Sequence, residues 1–245
     1  MSVRVALVVE ALADARTVAV LAEKVAADTR EDTALEYVSL DDAPRFAPAE
    51  VAHVTWKSLK LIAERRGVRK LGFESGARKA KAYELVARKA VALAYRHAPR
   101  PAVLVLVVDS DTDRDRTEDL RAAKPPVDPS FSVAVGVAVP KREAWVLNAF
   151  RPKTSAERAA KKRLDGQLKL DVCRQAHRLR GGRGEPRDAK QVLSELTCGD
   201  VERELDALRE HDSLEALKAC GAESGLADFV AELQSALGPA VAGDG

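Results

Sequence analysis

The chain has 245 residues, 46% hydrophobic and 32% charged, a globular balance that excludes wholesale disorder. Lys and Arg number 40 against 38 Asp and Glu, and the net charge of +2 excludes a general polycation. Any affinity for nucleic acid must therefore come from local segregation of charge.

No run approaches the roughly 20 apolar residues of a membrane span. The opening MSVRVALVVE reaches an acid after one short apolar run and lacks a small-residue cleavage site, unlike a signal peptide. Cys173, Cys198 and Cys220 are widely spaced and form no CxxC, as expected of thiols in a reducing compartment. These features predict a cytoplasmic protein with no membrane association.

Val3–Val9 is a Val-rich run of strand length, apolar on both faces as a strand inside a parallel sheet requires. Asp14 is placed to cap an Ala-rich helix to about Ala27, with Val18, Leu21, Ala22 and Val25 on one stripe. A second strand is expected at Leu35–Leu40, then loop around Pro44 and Pro48, then basic helices near Ala49–Arg66 and Ala77–His97. Ala102–Val108 is the strongest strand, ending in Asp109-Ser110-Asp111-Thr112-Asp113. A short helix over Arg116–Ala123 leads to a Pro-rich break at Pro125–Pro129, and the alternating run Ser132–Val139 is a fourth strand closed by Pro140. The order β-α-β-α-β-α-β predicts an α/β fold, a parallel sheet of about four strands flanked by helices.

From about Phe150 strand signals vanish. Arg151–Arg183 holds eleven Lys and Arg against Glu157, Asp165 and Asp171, and Gly181-Gly182-Arg183-Gly184 reads as a flexible link. Helices are expected at Ala189–Leu196, Val201–Leu217 and Leu226–Leu237, with Gly238–Gly245 a frayed tail.

Ligands of parallel sheets gather at the carboxyl ends of strands, and here those ends carry Glu10, Asp109 and Asp111. Alternate residues of an extended chain share a face, so D-x-D at a strand end sets two carboxylates side by side. Such acids repel at close range, and a hard divalent cation, Mg²⁺ or Mn²⁺, relieves the repulsion. An acidic turn capping the next helix explains the same residues. A calcium EF-hand loop starting at Asp109 fails, because its sixth and twelfth positions hold Arg114 and Leu120 where Gly and Glu are needed. A haloacid-dehalogenase-like phosphatase with Asp109 as nucleophile remains open, although Asp113 stands where its motif wants Thr or Val.

A Glu at the end of the first strand, an acid four residues on (Asp14) and a D-x-D at the end of the third strand resemble the Toprim pattern. Ala11 replaces the usual glycine. Lys141-Arg142-Glu143-Ala144-Trp145 after the fourth strand resembles the R-E-A-W signature of a bacterial Toprim branch related to the overcoming-lysogenization-defect nucleases, often encoded beside ATPases in anti-phage loci. Leu214, Leu217 and Cys220 before Gly225, Phe229 and Leu233 resemble the same branch. The resemblance implies a Toprim (Rossmann-like) catalytic domain at 1–150 with a helical insertion at about 41–100, and a basic helical C-terminal region at 151–245.

It further implies a metal-dependent nuclease, with DNA favoured over RNA, acting as the effector of a defence system with a separate AAA- or ABC-type ATPase, and a possible homo-oligomer. Glu10, Asp14, Asp109, Asp111 and Glu143 are the expected metal acids; Glu10 is also the candidate general base, and Lys141 and Arg142 the candidate contacts to the scissile phosphate. Lys57, Lys60, Arg65, Arg66, Arg78 and Lys79, and Lys161, Lys162 and Arg163, are the candidate nucleic-acid contacts. A non-catalytic nucleic-acid or partner-binding module of the same fold is the remaining alternative. Aromatic residues at 4% argue against a stacking platform for single strands, and no G-x-x-x-x-G-K-[S/T] loop is present.

Overall fold

The computed structural model describes residues 2–41, 51–68, 82–111, 116–124 and 130–243. By compactness the chain divides into two units, one built from Met1–Val108, Asp113–Gly136 and Ala231–Gly245, the other from Asp109–Thr112 and Val137–Val230. This division differs from the change in sequence character near residue 150.

The first unit holds the sheet. β1 (Ser2–Val9) and β4 (Val103–Asp109) are its centre, and every residue from Val5 to Val9 and from Val103 to Val108 is buried. Continuous apolar runs suit this place, since helices cover both faces of a parallel sheet. β2 (Ala34–Val38) pairs with β1 from Ser2↔Ala34 to Ala6↔Val38, and β4 pairs with it from Val5↔Val103 to Val8↔Leu106, all parallel. β5 (Ser132–Ala138) completes the order β2-β1-β4-β5.

A two-residue strand that the sequence did not reveal, β3 (Val54–Thr55), pairs with the end of β1 at Val8↔Val54 and Val9↔Thr55. The chain thus builds outward from β1 on the β2 side and then returns to add β4 on the other. The β1–β4 boundary is the topological switch point, where ligands of open parallel sheets bind at the carboxyl ends.

α1 (Leu12–Thr29) buries Val18, Leu21, Ala22 and Val25, as its periodicity predicts. α2 (Trp56–Arg65) starts at a Thr55 cap whose hydroxyl accepts from the Ser58 amide, and α3 (Ala82–Arg96) and α4 (Arg116–Arg121) follow. The expected loop around Pro44 and Pro48 and the break at Pro125–Pro129 lie outside the described residues.

In the second unit α5 (Arg142–Ala149) is buried along its whole length. Trp145 stacks on Phe229 with ring centroids 4.9 Å apart and donates its indole N–H to the Ser224 carbonyl at 2.7 Å. Gly225 has φ +80°, and a methyl group there would overlap the Val137 carbonyl oxygen, so only glycine fits.

α6 (Ser155–Leu168), α7 (Ala189–Thr197), α8 (Val201–Arg209) and α9 (Leu214–Cys220) are capped in turn by Thr154, Asp188, Asp200 and Ser213. The single helix expected over Val201–Leu217 is therefore two. Ser213 accepts from the Ala216 amide and restarts the backbone, and buried His211 bonds the Ala149 carbonyl between them.

α10 (Leu226–Ala242) corrects the expected frayed tail, running on through Pro239. Proline there removes a helical donor, and the burial of Leu237 and Val241 offsets that loss. The expected link at Gly181–Gly184 is a hydrogen-bonded turn, with the Gly181 amide on the Arg187 carbonyl at 2.9 Å. Among the described residues no helix is long and apolar enough to cross a membrane.

Burial by itself would raise the Glu157 carboxyl. The Arg203 guanidinium at 2.7 Å and the amides of Lys153 and Thr154 outweigh it and hold Glu157 below the usual glutamate range. A depressed folded pKa contributes stability above the unfolded value, about 4.3 for Glu, and that stability is lost as pH falls through the folded one. Burial opposes ionisation of Asp171 as well, and the Arg174 amide and Lys161 outweigh it, so Asp171 adds in the same sense. The unfolding midpoint of the wild type is expected to drop steeply below about pH 4. Glu157→Gln, which keeps the cap, should flatten that limb, and parallel acid limbs in a thermal melt series would refute the linkage.

Candidate functional site at the carboxyl edge of the sheet

The first unit presents Glu10, exposed, directly after β1. Its amide and that of Ala11 both donate to Asp14 Oδ2, at 3.1 and 2.8 Å. Asp14 is therefore the third residue of α1, reaching back over the helix start, with Ala11 in the capping position expected of Asp14 itself. One oxygen of this predicted metal acid is thus occupied by backbone.

In the same unit Trp56 follows β3, and its indole N–H donates to the Val107 carbonyl at 2.6 Å. Trp56 and Tyr83 meet edge to face at 6.5 Å and wall a pocket of about 270 Å³ lined also by Lys57 and Val86. Arg116 lies over the Tyr83 ring at 4.6 Å. Sequence reasoning missed this pocket; a tryptophan directly after a β-branched pair, in a chain with two tryptophans, was the available signal.

In the second unit Asp109 Oδ1 accepts the Arg142 amide at 2.8 Å, so the carboxylate sits on the positive end of α5. The Ser110 amide bonds the Ala138 carbonyl and the Asp111 amide the Pro140 carbonyl, at 2.8 and 2.9 Å. Asp111 has φ +46° and lies beyond the last residue of β4. The strand alternation that would set both aspartates on one face therefore stops at Asp109.

Arg142 is buried, with Nη1 3.0 Å from Glu204 and Nη2 3.2 Å from Glu143. Glu143, expected as a metal acid, is here an ion-pair partner. Lys141 Nζ lies 3.9 Å from Asp188.

Of the predicted nucleic-acid contacts, Arg65 is held by both oxygens of Asp41 at 3.0 and 2.9 Å, and Arg66 reaches the Leu40 carbonyl at 3.4 Å. Lys60 is 4.0 Å from Glu64. Lys161 lies between Asp165 and Asp171, at 2.7 and 3.0 Å, and Arg163 is 2.6 Å from Glu195. Lys57 and Lys162 are exposed, and Arg78 and Lys79 lie outside the described residues.

Among the described residues no group of three or more His, Cys, Asp and Glu side chains is placed to hold a metal ion. The donor chemistry nevertheless suits a hard cation. Mg²⁺ is commonly bound through one or two carboxylates, completed by waters and substrate phosphate, without an all-protein cage. Glu10 in the first unit and Asp109 in the second are carboxylates of the type such a cation takes as ligands. The chain matches no family model, no curated protein and no solved structure.

Proposed function

We propose that this chain is a Mg²⁺- or Mn²⁺-dependent hydrolase of phosphodiester bonds in nucleic acid, DNA before RNA, built on a Toprim-like sheet. The observation that carries the reading is that β1 and β4 pair at the topological switch point, with Glu10 directly after β1 and Asp109 the last residue of β4. Asp109 lies on the positive end of α5, which favours the charged carboxylate a hard cation takes as ligand.

Glu10, on the exposed turn after β1, serves as a second ligand or accepts the proton of the attacking water. In the second unit Asp111 follows Asp109, Lys141 is the candidate contact to the substrate phosphate, and Arg142 anchors α5 through Glu204 and Glu143. When bound, the cation activates water and neutralises charge on the phosphate oxygens. The defence role and the separate ATPase partner rest on the resemblance to the R-E-A-W branch.

The test is incubation of the purified chain with plasmid, linear duplex DNA and RNA, with and without Mg²⁺ or Mn²⁺. Cation-dependent cleavage that Glu10→Gln abolishes is the expected result. Turnover of small phosphomonoesters alone, with a phosphorylated Asp109, would replace the reading with the phosphatase.

A further inference from the structure

The second unit contains a depression of about 880 Å³ walled by Lys169, Arg178, Arg180 and Arg187. Among the described residues none of the four has a carboxylate within ion-pair reach, in contrast to Lys161 and Arg163 on the neighbouring helix face. Arg180 and Arg187 touch only backbone carbonyls, of His177 and Leu168, each at 3.3 Å, which leaves their charge uncompensated. The one acid of the lining, Glu185, has its Oε2 on the Gly182 amide at 2.9 Å.

The platform is fixed. Arg180 and Asp188 form an antiparallel bridge, the Gly184 amide reaches Asp188 Oδ2 at 3.2 Å, and the Asp188 amide returns to the Glu185 carbonyl at 2.9 Å. Gly181 is packed so closely that a Cβ would lie 2.6 Å from the Arg187 carbonyl carbon. Arg180 and Arg187 are thus presented from a rigid turn, with Arg178 in the 3-10 turn Ala176–Arg178 and Lys169 at the end of α6, at little further cost in ordering.

We propose that this basin binds the phosphodiester backbone of nucleic acid, with Lys169, Arg178, Arg180 and Arg187 opposing successive phosphates. The proposal rests on the reading of nucleic acid as ligand and moves its main contact away from Lys161–Arg163. A cation already paired to a carboxylate must give up that partner to meet a phosphate, whereas an uncompensated one releases only counterions. Guanidinium groups add fork-shaped, two-point recognition of phosphate oxygens. The volume lies near the upper end of the roughly 300–1,000 Å³ of small-ligand sites, and charge spread over four side chains suits a run of phosphates better than one.

The test is fluorescence anisotropy of the full chain with labelled duplex DNA and with single-stranded RNA, in EDTA, over about 50 to 200 mM salt. The expected wild-type plot of log affinity against log salt has a slope of about −3 to −4, near −0.9 per phosphate contacted. Arg178→Ala/Arg180→Ala should lower that slope by about 2 and weaken binding about tenfold or more at 0.1 M salt, with an unchanged circular dichroism spectrum. Arg163→Ala should change affinity less than about twofold.

Equal affinity and slope in wild type and double variant overturns the proposal. So does binding of inorganic phosphate or phosphatidylserine vesicles in place of either nucleic acid. Since binding is read without divalent cation, a failure to cleave bears on the strand-end acids alone, and an unchanged affinity bears on the basin alone.

Discussion

Asp109→Asn is expected to lower cation-dependent cleavage by about 10²-fold or more while leaving the unfolding midpoint near that of the wild type. Asparagine keeps an Oδ1 acceptor for the Arg142 amide, now 2.8 Å away, and removes only the charge. Asp109→Ala would confound the two, because losing an acceptor at a helix start costs about 0.5–2 kcal/mol by itself. A steady-state cleavage assay paired with a thermal melt separates the cases. Wild-type cleavage by the Asn variant would remove Asp109 from the reaction. Asp111→Asn is the companion measurement: Asp111 sits past the strand in a left-handed turn, so its loss should be the smaller of the two.

Arg142→Ala should destabilise the second unit by about 3–5 kcal/mol, because it strands the Glu143 and Glu204 carboxylates without their shared cation. For a chain of this length that corresponds to a fall in melting temperature of roughly 6–20 °C. The combined substitution Arg142→Met, Glu143→Leu and Glu204→Leu is not such a loss: buried ion networks exchanged for packed apolar side chains are often neutral in stability. If Arg142→Ala melts with the wild type yet loses cleavage, the guanidinium acts on substrate and the anchoring role is wrong.

How much of this was legible in the sequence depends on how far apart in the chain the interacting groups lie. β1 and β4 were readable because a strand covered on both faces needs an unbroken apolar run, and their shortness and Val content favour strand over buried helix. The neutralisation of Lys161 was half visible, since Asp165 is one helical turn away. That of Arg163 was not, because Glu195 lies 32 residues on.

An extended chain would set Asp109 and Asp111 on one face, but at Asp111 the backbone leaves the strand. Gly181–Gly184 looked like a link because glycine composition cannot distinguish a free segment from a turn pinned by remote acceptors.

What the amino-acid order determined alone is the α/β layering and the placing of acids at the ends of two apolar strands, since periodicity and local caps act over a few residues. Only the tertiary structure decided which charges remain uncompensated. Arg142 meets Glu204 across 62 residues, while Arg178, Arg180 and Arg187 meet no carboxylate among the described residues. Whether a charge is spent or available depends on which distant segment folding brings within about 4 Å of it, the reach of an ion pair.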